Sequence, residues 1–279
     1  DCANVYGPMD DRANIGRSEV VLGRALKGKR DDVVITSKVY GRIGPGPNDT
    51  GLSRYHIQRE VERSLRRLDT DHIDVYLVHS FDPTTPLEET VRTLDDLVRS
   101  GKVRYVGCCN YAAWQVCRAL WVADTLKVNS YMCVQNPYSL LNRRLEVEMF
   151  DLVRAQGLGL MGYSPLAVGL LSGAYKPGQP APAGSLWATR RKDRFSNTME
   201  GAVAEIVTAV HELAADLGKT PAQVAIAWVL SHPEVTCAIS GADSFEQLDD
   251  VLGGVDWVLP ADARQRLDEV SASMSMILD

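Results

Sequence analysis

The sequence predicts an α/β protein of the (β/α)8 TIM-barrel class, and three observations support this prediction. Short β-branched runs alternate with amphipathic helical stretches along the 279 residues. Most of these runs are apolar on both faces, which is typical of parallel strands covered by helices. A different polar residue ends each of five strands, and a barrel gathers its active site at such strand ends. These residues are Lys38, His79, Asn110, Gln135 and Tyr163.

The first half of the chain is predicted to hold three complete strand–helix pairs. Ser53 is the expected N-cap of the first of these helices, whose apolar face carries Ile57, Val61, Leu65 and Leu68. In chain order the predicted elements are a strand at 32–39, a helix at 53–70, a strand at 72–80, a helix at 86–102, a strand at 103–110 and a helix at 112–126.

The second half continues the alternation around one long Gly/Pro-containing loop at about 166–198. Its predicted elements are strands at 130–139, 158–166 and 236–242, and helices at 142–157, 199–218, 220–232, 244–253 and 259–271. We expect one domain over residues 1–279.

The opening segment "DCANVYG" resembles the end of a strand and the loop after it. A barrel needs eight strands, and the sequence shows six plus this short remnant. The first strand, the first helix and most of the second strand are therefore expected to be missing, as in a fragment or a truncated record.

A doubly wound sheet is the alternative fold. It would concentrate its chemistry at one crevice and usually carries a Gly-rich phosphate turn between a strand and a helix. The nearest candidate, "GRIGPGPND" at 41–49, has neither the spacing nor the abrupt start of a following helix. The barrel is therefore favoured.

Composition excludes several classes of function. A net charge of −6 and no run of five like charges argue against nucleic acid or a membrane surface as a partner. Six scattered Cys without a C-x-x-C pair argue against a zinc site and favour the cytoplasm. No apolar stretch approaches the roughly 20 residues that a membrane span needs. A cytoplasmic protein is expected, and an oligomer is left open.

The residues at the strand ends suggest a site that polarises a carbonyl group. The phenol of Tyr6 becomes a useful proton donor near neutral pH only if its phenolate is stabilised. The ammonium of Lys38 is suited to this, with Asp1 as its counter-ion, and His79 could share the proton or orient a carbonyl. Without a metal pattern or a Ser/His/Asp order, the electron pair would come from a cofactor such as a nicotinamide.

Several segments resemble the aldo-keto reductases, including the branch of potassium-channel β-subunits. These segments are "DCANVYG", "ITSKVYG", "YLVHSFD", "VRYVGCCN", "VQNPYSLLNR", "GYSPLAVGLLSGAY" and "PAQVAIAWVLSHPEVTCAISGADSFEQL". They occur in family order and cover essentially the whole chain. The resemblance implies a (β/α)8 barrel that uses NADP(H), with NAD(H) as the alternative, to reduce a small carbonyl substrate.

The resemblance also implies roles for individual residues. Asp1, Tyr6, Lys38 and His79 take the positions of the catalytic tetrad, with Tyr6 as general acid. Asn110 and Gln135 would hold the nicotinamide carboxamide, and Tyr163 would stack on its ring. The residues implied along the rest of the cofactor are Cys109, Ser164, Pro165, Leu166, Gly169, Leu171, Arg194, Ser240, Gly241, Asp243, Gln247 and Asp250.

Departures from the family pattern bear on the cofactor. Cys109 stands where a Ser is usual and is the weaker hydrogen-bonding partner. Asp243 stands where a basic residue commonly meets the 2′-phosphate of NADP, and its carboxylate would repel that phosphate. Asp250 and Val251 replace the usual Glu and Asn. These changes favour relaxed discrimination or NAD, although Arg194 could reach in from the long loop.

The leading function is reduction of an aldehyde or ketone by hydride transfer from NAD(P)H. The substrate pocket is expected to include residues 40–54, the loop at 166–198, and side chains near Tyr6, Phe81 and Tyr111. A nicotinamide-binding regulatory protein with little turnover is the second hypothesis. A Schiff-base aldolase that uses Lys38 is the third, and it leaves "GYSPLAVGLLSG" unexplained.

Overall fold

The computed structural model describes residues 1–7 and 14–275 of the chain. These residues divide into two compact units, Asp1–Gln135 and Asn136–Asp279. The expectation of one domain over residues 1–279 stays a prediction.

The first unit is built of parallel strands that pair in chain order. β1 pairs with β2, β2 with β3 and β3 with β4, all in parallel. Its elements are α1 (Arg17–Ala25), a 3-10 turn (Arg30–Asp32), β1 (Thr36–Val39), α2 (Arg54–Leu68), β2 (Ile73–Val78), α3 (Leu87–Arg99), β3 (Val103–Cys109), α4 (Ala113–Leu126) and β4 (Tyr131–Pro137), the last two residues of which belong to the second unit.

The second unit contains two paired strands, β5 and β6, and the helices α5 to α11. β5 runs parallel to β6, with Met161 opposite Cys237. Its elements are a 3-10 turn (Arg144–Glu146), α5 (Met149–Gln156), β5 (Gly159–Tyr163), α6 (Leu186–Thr189), α7 (Lys192–Thr198), α8 (Gly201–Asp216), α9 (Pro221–Leu230), β6 (Cys237–Ile239), α10 (Phe245–Leu252), α11 (Ala261–Val270) and a 3-10 turn (Ala272–Ser275).

Apolar side chains on the strands and on one face of most of the longer helices make the cores of the units. In α2, Ile57 and Val61 are wholly buried, and full burial of such an aliphatic side chain contributes about 1.5–3 kcal/mol. Ser53 caps α2 as predicted, because its side chain accepts a hydrogen bond from the amide of His56. The structure confirms the predicted alternation of parallel strands with helices.

The helix α1 was not predicted, and a buried ion pair anchors it. Glu19 is wholly buried and accepts from Arg67 Nε at 2.6 Å and from the hydroxyl of Ser37. A buried carboxylate is stable only with such partners. These contacts join α1 to α2 and to β1.

The loop prediction at 166–198 needs a correction. The structure places two short helices, α6 and α7, at the end of that segment. Trp187 and Phe195 are buried there with ring centroids 6.1 Å apart, and this packing stabilises turns too short to be recognised by periodicity.

Within residues 1–7 and 14–275, no helix has both the length and the apolar character that a membrane span requires. The same residues bring together no group of three or more His, Cys, Asp or Glu that could hold a metal ion.

Candidate active site

An ion pair between the buried Lys38 and the partly exposed Asp1 lies at the centre of the first group of predicted site residues. Lys38 is wholly buried in β1, and its Nζ lies 2.7 Å from Oδ2 of Asp1 and 2.9 Å from the carbonyl oxygen of Cys2. The other carboxylate oxygen of Asp1 accepts from Thr36 Oγ1 and, at 3.0 Å, from Gln135 Nε2. A buried ammonium needs this degree of compensation, so the two charges are held in one geometry.

The backbone at the start of the chain explains how Asp1 reaches Lys38. The amides of Cys2 and Asn4 donate to the carbonyl oxygens of Thr36 and Lys38, respectively. Residues 1–4 therefore run alongside β1.

Tyr6 and His79 form a hydrogen-bonded pair in this group. The phenol oxygen of Tyr6 lies 3.2 Å from Nε2 of His79, and the two rings meet edge to face. Lys38 Nζ lies 4.8 Å from the centroid of the Tyr6 ring. Tyr6 is 38% exposed, and its ring lies next to a buried cation. This arrangement can stabilise negative charge on the phenol oxygen.

His79 is neutral at physiological pH. Burial, and then the positive charge of Lys38, lower the pKa of His79 to about 4. Its amide donates to the carbonyl oxygen of Val39, and its own carbonyl oxygen accepts from Asn110 Nδ2 at 3.0 Å. A neutral ring directs either an N–H or a lone pair at Tyr6, depending on its tautomer.

Asn110, Gln135 and Cys109 complete the first group. Asn110 has a left-handed backbone (φ 58°) at the end of β3, and its amide donates to the carbonyl oxygen of Gln135. The thiol of Cys109 lies 3.6 Å from Gln135 Oε1. Burial raises the pKa of the Cys109 thiol to about 12, so it is not a nucleophile near neutral pH. The structure thus brings the first seven predicted site residues into one network.

The second unit holds the remaining predicted residues, beginning with a strained turn after β5. Ser164, Ala167, Val168 and Gly169 all have positive φ values, 56°, 48°, 57° and 87°. Such a conformation is unusual for a β-branched residue such as Val168, and strained backbone of this kind clusters at functional sites. Pro165 and Leu171 are buried beside this turn, and the Leu171 amide donates to the Leu166 carbonyl oxygen.

Trp187 holds this turn in place, which sequence analysis did not foresee. Its indole Nε1 donates to the carbonyl oxygen of Val168 at 3.0 Å. Within the described residues, the amides of Val168 and Gly169 donate to no acceptor. A bound anion is the kind of partner that such amides suit.

The residues predicted for the adenosine half lie in the segment after β6 and in α10. The side chain of Gln247 accepts from the amide of Asp243 at 2.8 Å, while Ser240 is half-buried and Gly241 is exposed. Asp250 accepts from the hydroxyl of Thr220 at 2.6 Å, and Thr220 caps α9. The structure thus gives Asp250 a role in joining α10 to α9.

Arg194 is exposed on α7. Within residues 1–7 and 14–275 no ion pair involves its guanidinium.

Asp82 is a further residue that sequence analysis missed. It is buried and accepts hydrogen bonds from the hydroxyls of Thr84 and Thr85 and from the amides of Thr84 and Leu52, at 2.6–2.9 Å. These bonds join the segment after His79 to the segment after Lys38. The sequence Asp-Pro-Thr-Thr at 82–85 is a local signal for such a turn.

Gly51 allows the carboxylate of Asp82 to approach the backbone closely enough for these hydrogen bonds. It has φ +90°, and a Cβ built there would lie 2.8 Å from Asp82 Oδ2. A larger residue would therefore be strained and would crowd the carboxylate.

Comparison with known proteins gives a consistent result. Residues 1–272 match the Aldo/keto reductase family. The chain is 37% identical over 278 residues to the uncharacterized oxidoreductase YrpG of Bacillus subtilis, which is 97% of this chain and 81% of that protein. It is 37% identical over 262 residues to a probable voltage-gated potassium channel subunit beta of Arabidopsis thaliana, 92% of this chain and 79% of that one.

A third relative is an enzyme named for its substrate. The chain is 31% identical over 261 residues to the L-glyceraldehyde 3-phosphate reductase of Escherichia coli K12, which is 90% of this chain and 72% of that protein. The family match and the relatives point to the same family, and the hydrogen-bond network around Lys38 is consistent with it. The chain belongs to the aldo/keto reductase family, whose general chemistry is nicotinamide-dependent carbonyl reduction.

Proposed function

We propose that this chain reduces an aldehyde or ketone to an alcohol with hydride from NAD(P)H, with Tyr6 as general acid. The observation that carries the proposal is the position of the Tyr6 hydroxyl, 3.2 Å from His79 Nε2, on a ring 4.8 Å from the buried ammonium of Lys38. A partly exposed phenol that is held by a neutral imidazole and a cation is suited to give a proton to a carbonyl oxygen.

The chain's own residues perform the proton chemistry. A carbonyl oxygen beside Tyr6 takes the phenol proton as negative charge develops on that oxygen. Lys38, held by Asp1, then stabilises the resulting phenolate, and solvent returns the proton. His79 stays uncharged because its pKa is lowered, so it can orient the carbonyl oxygen without adding a second cation beside Lys38.

A bound nicotinamide would supply the hydride, and we propose residues in each unit that would hold it. The turn at Ser164–Leu171 offers the amides of Val168 and Gly169 to phosphate oxygens. We propose Asn110 and Gln135 for the carboxamide, with Cys109 beside Gln135, and Tyr163 for the ring. The residues proposed along the pyrophosphate and adenosine are Ser164, Pro165, Leu166, Gly169, Leu171, Ser240, Gly241 and Gln247.

In this proposal, the preference for NADP(H) or NAD(H) depends on a few charged side chains that would face the 2′-phosphate of NADP(H). The exposed carboxylate of Asp243 opposes a 2′-phosphate, and Asp250 already accepts from Thr220. Arg194 is the cation proposed to favour the phosphate. We therefore propose that discrimination between the two cofactors is weak.

The proposal is tested by fluorescence titration with NADPH and NADH, followed by turnover with a panel of aldehydes and ketones. Saturable binding together with carbonyl-dependent oxidation of the cofactor supports it. A folded protein that binds neither cofactor contradicts it. A kcat/KM that is a hundredfold higher with NADPH would contradict weak discrimination.

A regulatory protein remains the second candidate, because relatives from Arabidopsis thaliana, Oryza sativa and Schizosaccharomyces pombe carry the name of potassium channel subunit beta. Very slow turnover with tightly retained cofactor would favour it.

The aldolase hypothesis gains no support, because Lys38 is wholly buried and ion-paired. Borohydride is therefore not expected to trap a substrate on Lys38.

A further inference from the structure

The side chain of Asn4 links the start of the chain to α2. Asn4 is wholly buried, and its Nδ2 donates to Oε2 of Glu60 at 3.1 Å. A buried primary amide needs such a hydrogen bond to offset its lost hydration. The contact therefore ties the segment that carries Asp1 and Tyr6 to one point on the helix.

Glu60 is a fixed acceptor because two arginines compensate its buried charge. Its side chain is 1% exposed, and Oε1 accepts from Arg63 Nη1 at 2.9 Å and lies 3.4 Å from Arg59 Nε. A buried carboxylate is stable only with partners of this kind. The arginines take one carboxylate oxygen of Glu60 and the amide of Asn4 takes the other, so the amide has a defined place to bond.

The backbone around Asn4 couples its position to the ion pair and to the phenol. The Asn4 amide donates to the carbonyl oxygen of Lys38 at 3.1 Å, and Lys38 Nζ lies 2.7 Å from Asp1 Oδ2. The Tyr6 amide donates to the carbonyl oxygen of Ala3 at 3.1 Å, which closes a turn over residues 3–6. A displacement of Asn4 would therefore move the phenol of Tyr6 relative to the ammonium of Lys38.

A role in packing alone is the competing explanation. In that case Asn4 and Glu60 would satisfy each other in the core, and the site would not respond to their loss. The turn argues otherwise, since Asn4 occupies its first central position and Tyr6 its last. A displacement of about 1 Å at a reacting group can lower a rate about 100-fold.

We propose that Asn4 and Glu60 form a positioning pair that holds the phenol of Tyr6 against Lys38 and His79. This inference rests on the proposed function, because the phenol so positioned is the proposed general acid. The pair acts through the turn at residues 3–6 and is not proposed to touch substrate or cofactor.

The experiment exchanges the two functional groups of the pair. Asn4→Asp sets a second carboxylate against that of Glu60, so we expect kcat for the reduction of propanal with NADPH to fall about 10- to 100-fold. The Kd for NADPH should change less than about twofold, since neither residue is a proposed cofactor contact. In the double variant Asn4→Asp/Glu60→Gln the amide and the carboxylate have changed places. The hydrogen bond can form again, and kcat should return to within about threefold of wild type.

Glu62→Gln is the matched control, because Glu62 lies on the same helix and pairs with Lys102 at the surface. It should leave kcat unchanged. Asn4→Ala serves where two adjacent buried carboxylates prevent folding, and kcat should fall about tenfold in it. Circular dichroism and thermal melts establish that each variant is folded. Wild-type kcat in folded Asn4→Asp or Asn4→Ala, or a folded double variant no faster than Asn4→Asp, would overturn the proposal.

A spectroscopic readout separates this inference from the proposed function. The ¹³Cζ resonance of Tyr6 reports the surroundings of the phenol oxygen, and in tyrosine-labelled protein it is assigned by its loss in Tyr6→Phe. It should shift in Asn4→Asp, return in the double variant and stay in place in Glu62→Gln. This pattern in a protein that reduces no carbonyl compound would support the positioning pair and contradict the reductase. A lower kcat with an unmoved Tyr6 resonance would overturn the positioning pair.

Discussion

The hydroxyl of Tyr6 lies 3.2 Å from Nε2 of His79, and the ring of Tyr6 also lies beside the ammonium of Lys38. One phenol thus meets both a neutral hydrogen-bonding group and a cation that is itself locked by Asp1. In the proposed mechanism, the cation stabilises the phenolate, whereas the imidazole orients the proton that Tyr6 donates. The two influences can be separated by substitution.

Tyr6→Phe removes the hydroxyl and keeps the ring beside Lys38. Because the proton donor is lost, we expect kcat for carbonyl reduction to fall by at least about 100-fold. Little contact area is removed, so the Kd for NADPH should change less than twofold. Stopped-flow turnover and fluorescence titration measure the two quantities. Retention of wild-type turnover would exclude Tyr6 as the general acid.

The substitution His79→Gln tests whether the His79 imidazole is uncharged in the native protein, through the pH dependence of the free energy of unfolding. The pKa of His79 is about 4 in the native state and about 6.5 in an unfolded chain. Between these values the unfolded chain binds a proton that the native chain does not, so stability falls as pH drops from about 6.5 to about 4. The full effect is at most about 3 kcal/mol.

Urea unfolding at pH 7 and pH 4.5 measures this effect as the difference between wild type and His79→Gln. Burial also lowers the pKa values of His56 and His232, so both proteins lose stability on acidification. The variant should lose less. Parallel pH profiles would show that the His79 ring is protonated as easily in the native state as in the unfolded one.

Local features of the fold were predictable, and contacts between distant segments were not. The N-cap at Ser53 was correct because capping depends on residues three positions apart. The strand-end positions of Lys38 and His79 followed from the apolar runs before them. The hydrogen bond from the indole N–H of Trp187 to the carbonyl oxygen of Val168 joins segments nineteen residues apart. Hydrophobic periodicity in the sequence does not indicate a contact of this kind.

The same distinction holds within the site. The pairing of Cys109 with Gln135 follows from the register of β3 against β4, in which these two residues are partners. The register of the strands is set only when the sheet assembles. The sequence therefore indicated Cys109 and Gln135 as site residues, but it did not indicate that they touch each other. Asp250 was expected at the cofactor, but its bond to Thr220 depends on how α10 packs on α9.

Cys109 should resist alkylation in the native protein. With a pKa of about 12, only about one in ten thousand of its thiols is ionised at pH 8, and the side chain is buried. Iodoacetamide at pH 8 should therefore modify the exposed Cys117 first, as read by peptide mass spectrometry. Labelling in urea provides the control. Equal rates at the two positions in the native protein would contradict the buried network around Gln135.

Asp82→Asn should weaken the hydrogen bonds that connect the segment after β1 with the segment after β2. Burial alone would raise the pKa of Asp82, but the hydrogen bonds from Thr84, Thr85 and Leu52 outweigh it and lower that pKa. Replacing the carboxylate should cost about 2 kcal/mol of unfolding free energy at pH 7. The cost should vanish as pH falls through the native pKa of Asp82, where the wild-type group is protonated as well.

Asp124→Asn is the control for this substitution, because Asp124 forms an exposed ion pair with Lys127. It should change the unfolding free energy by less than about 0.5 kcal/mol. Urea unfolding at pH 7 and at pH 3 measures both variants. An Asp82→Asn protein as stable as wild type at pH 7 would show that the hydrogen bonds of Asp82 contribute nothing.

Trp187→Phe removes the indole N–H that holds the carbonyl oxygen of Val168 and keeps an aromatic ring next to Phe195. The turn at Ser164–Leu171 is strained, so without this bond it should leave the left-handed conformation more often. We expect the Kd for NADPH to rise about three- to tenfold, since a binding-competent state that is less populated lowers apparent affinity in proportion. Fluorescence titration measures the shift, with Trp121→Phe as the control for a lost exposed indole. A lower melting temperature with an unchanged Kd would mean that Trp187 serves the packing of α6 and α7 and not the turn.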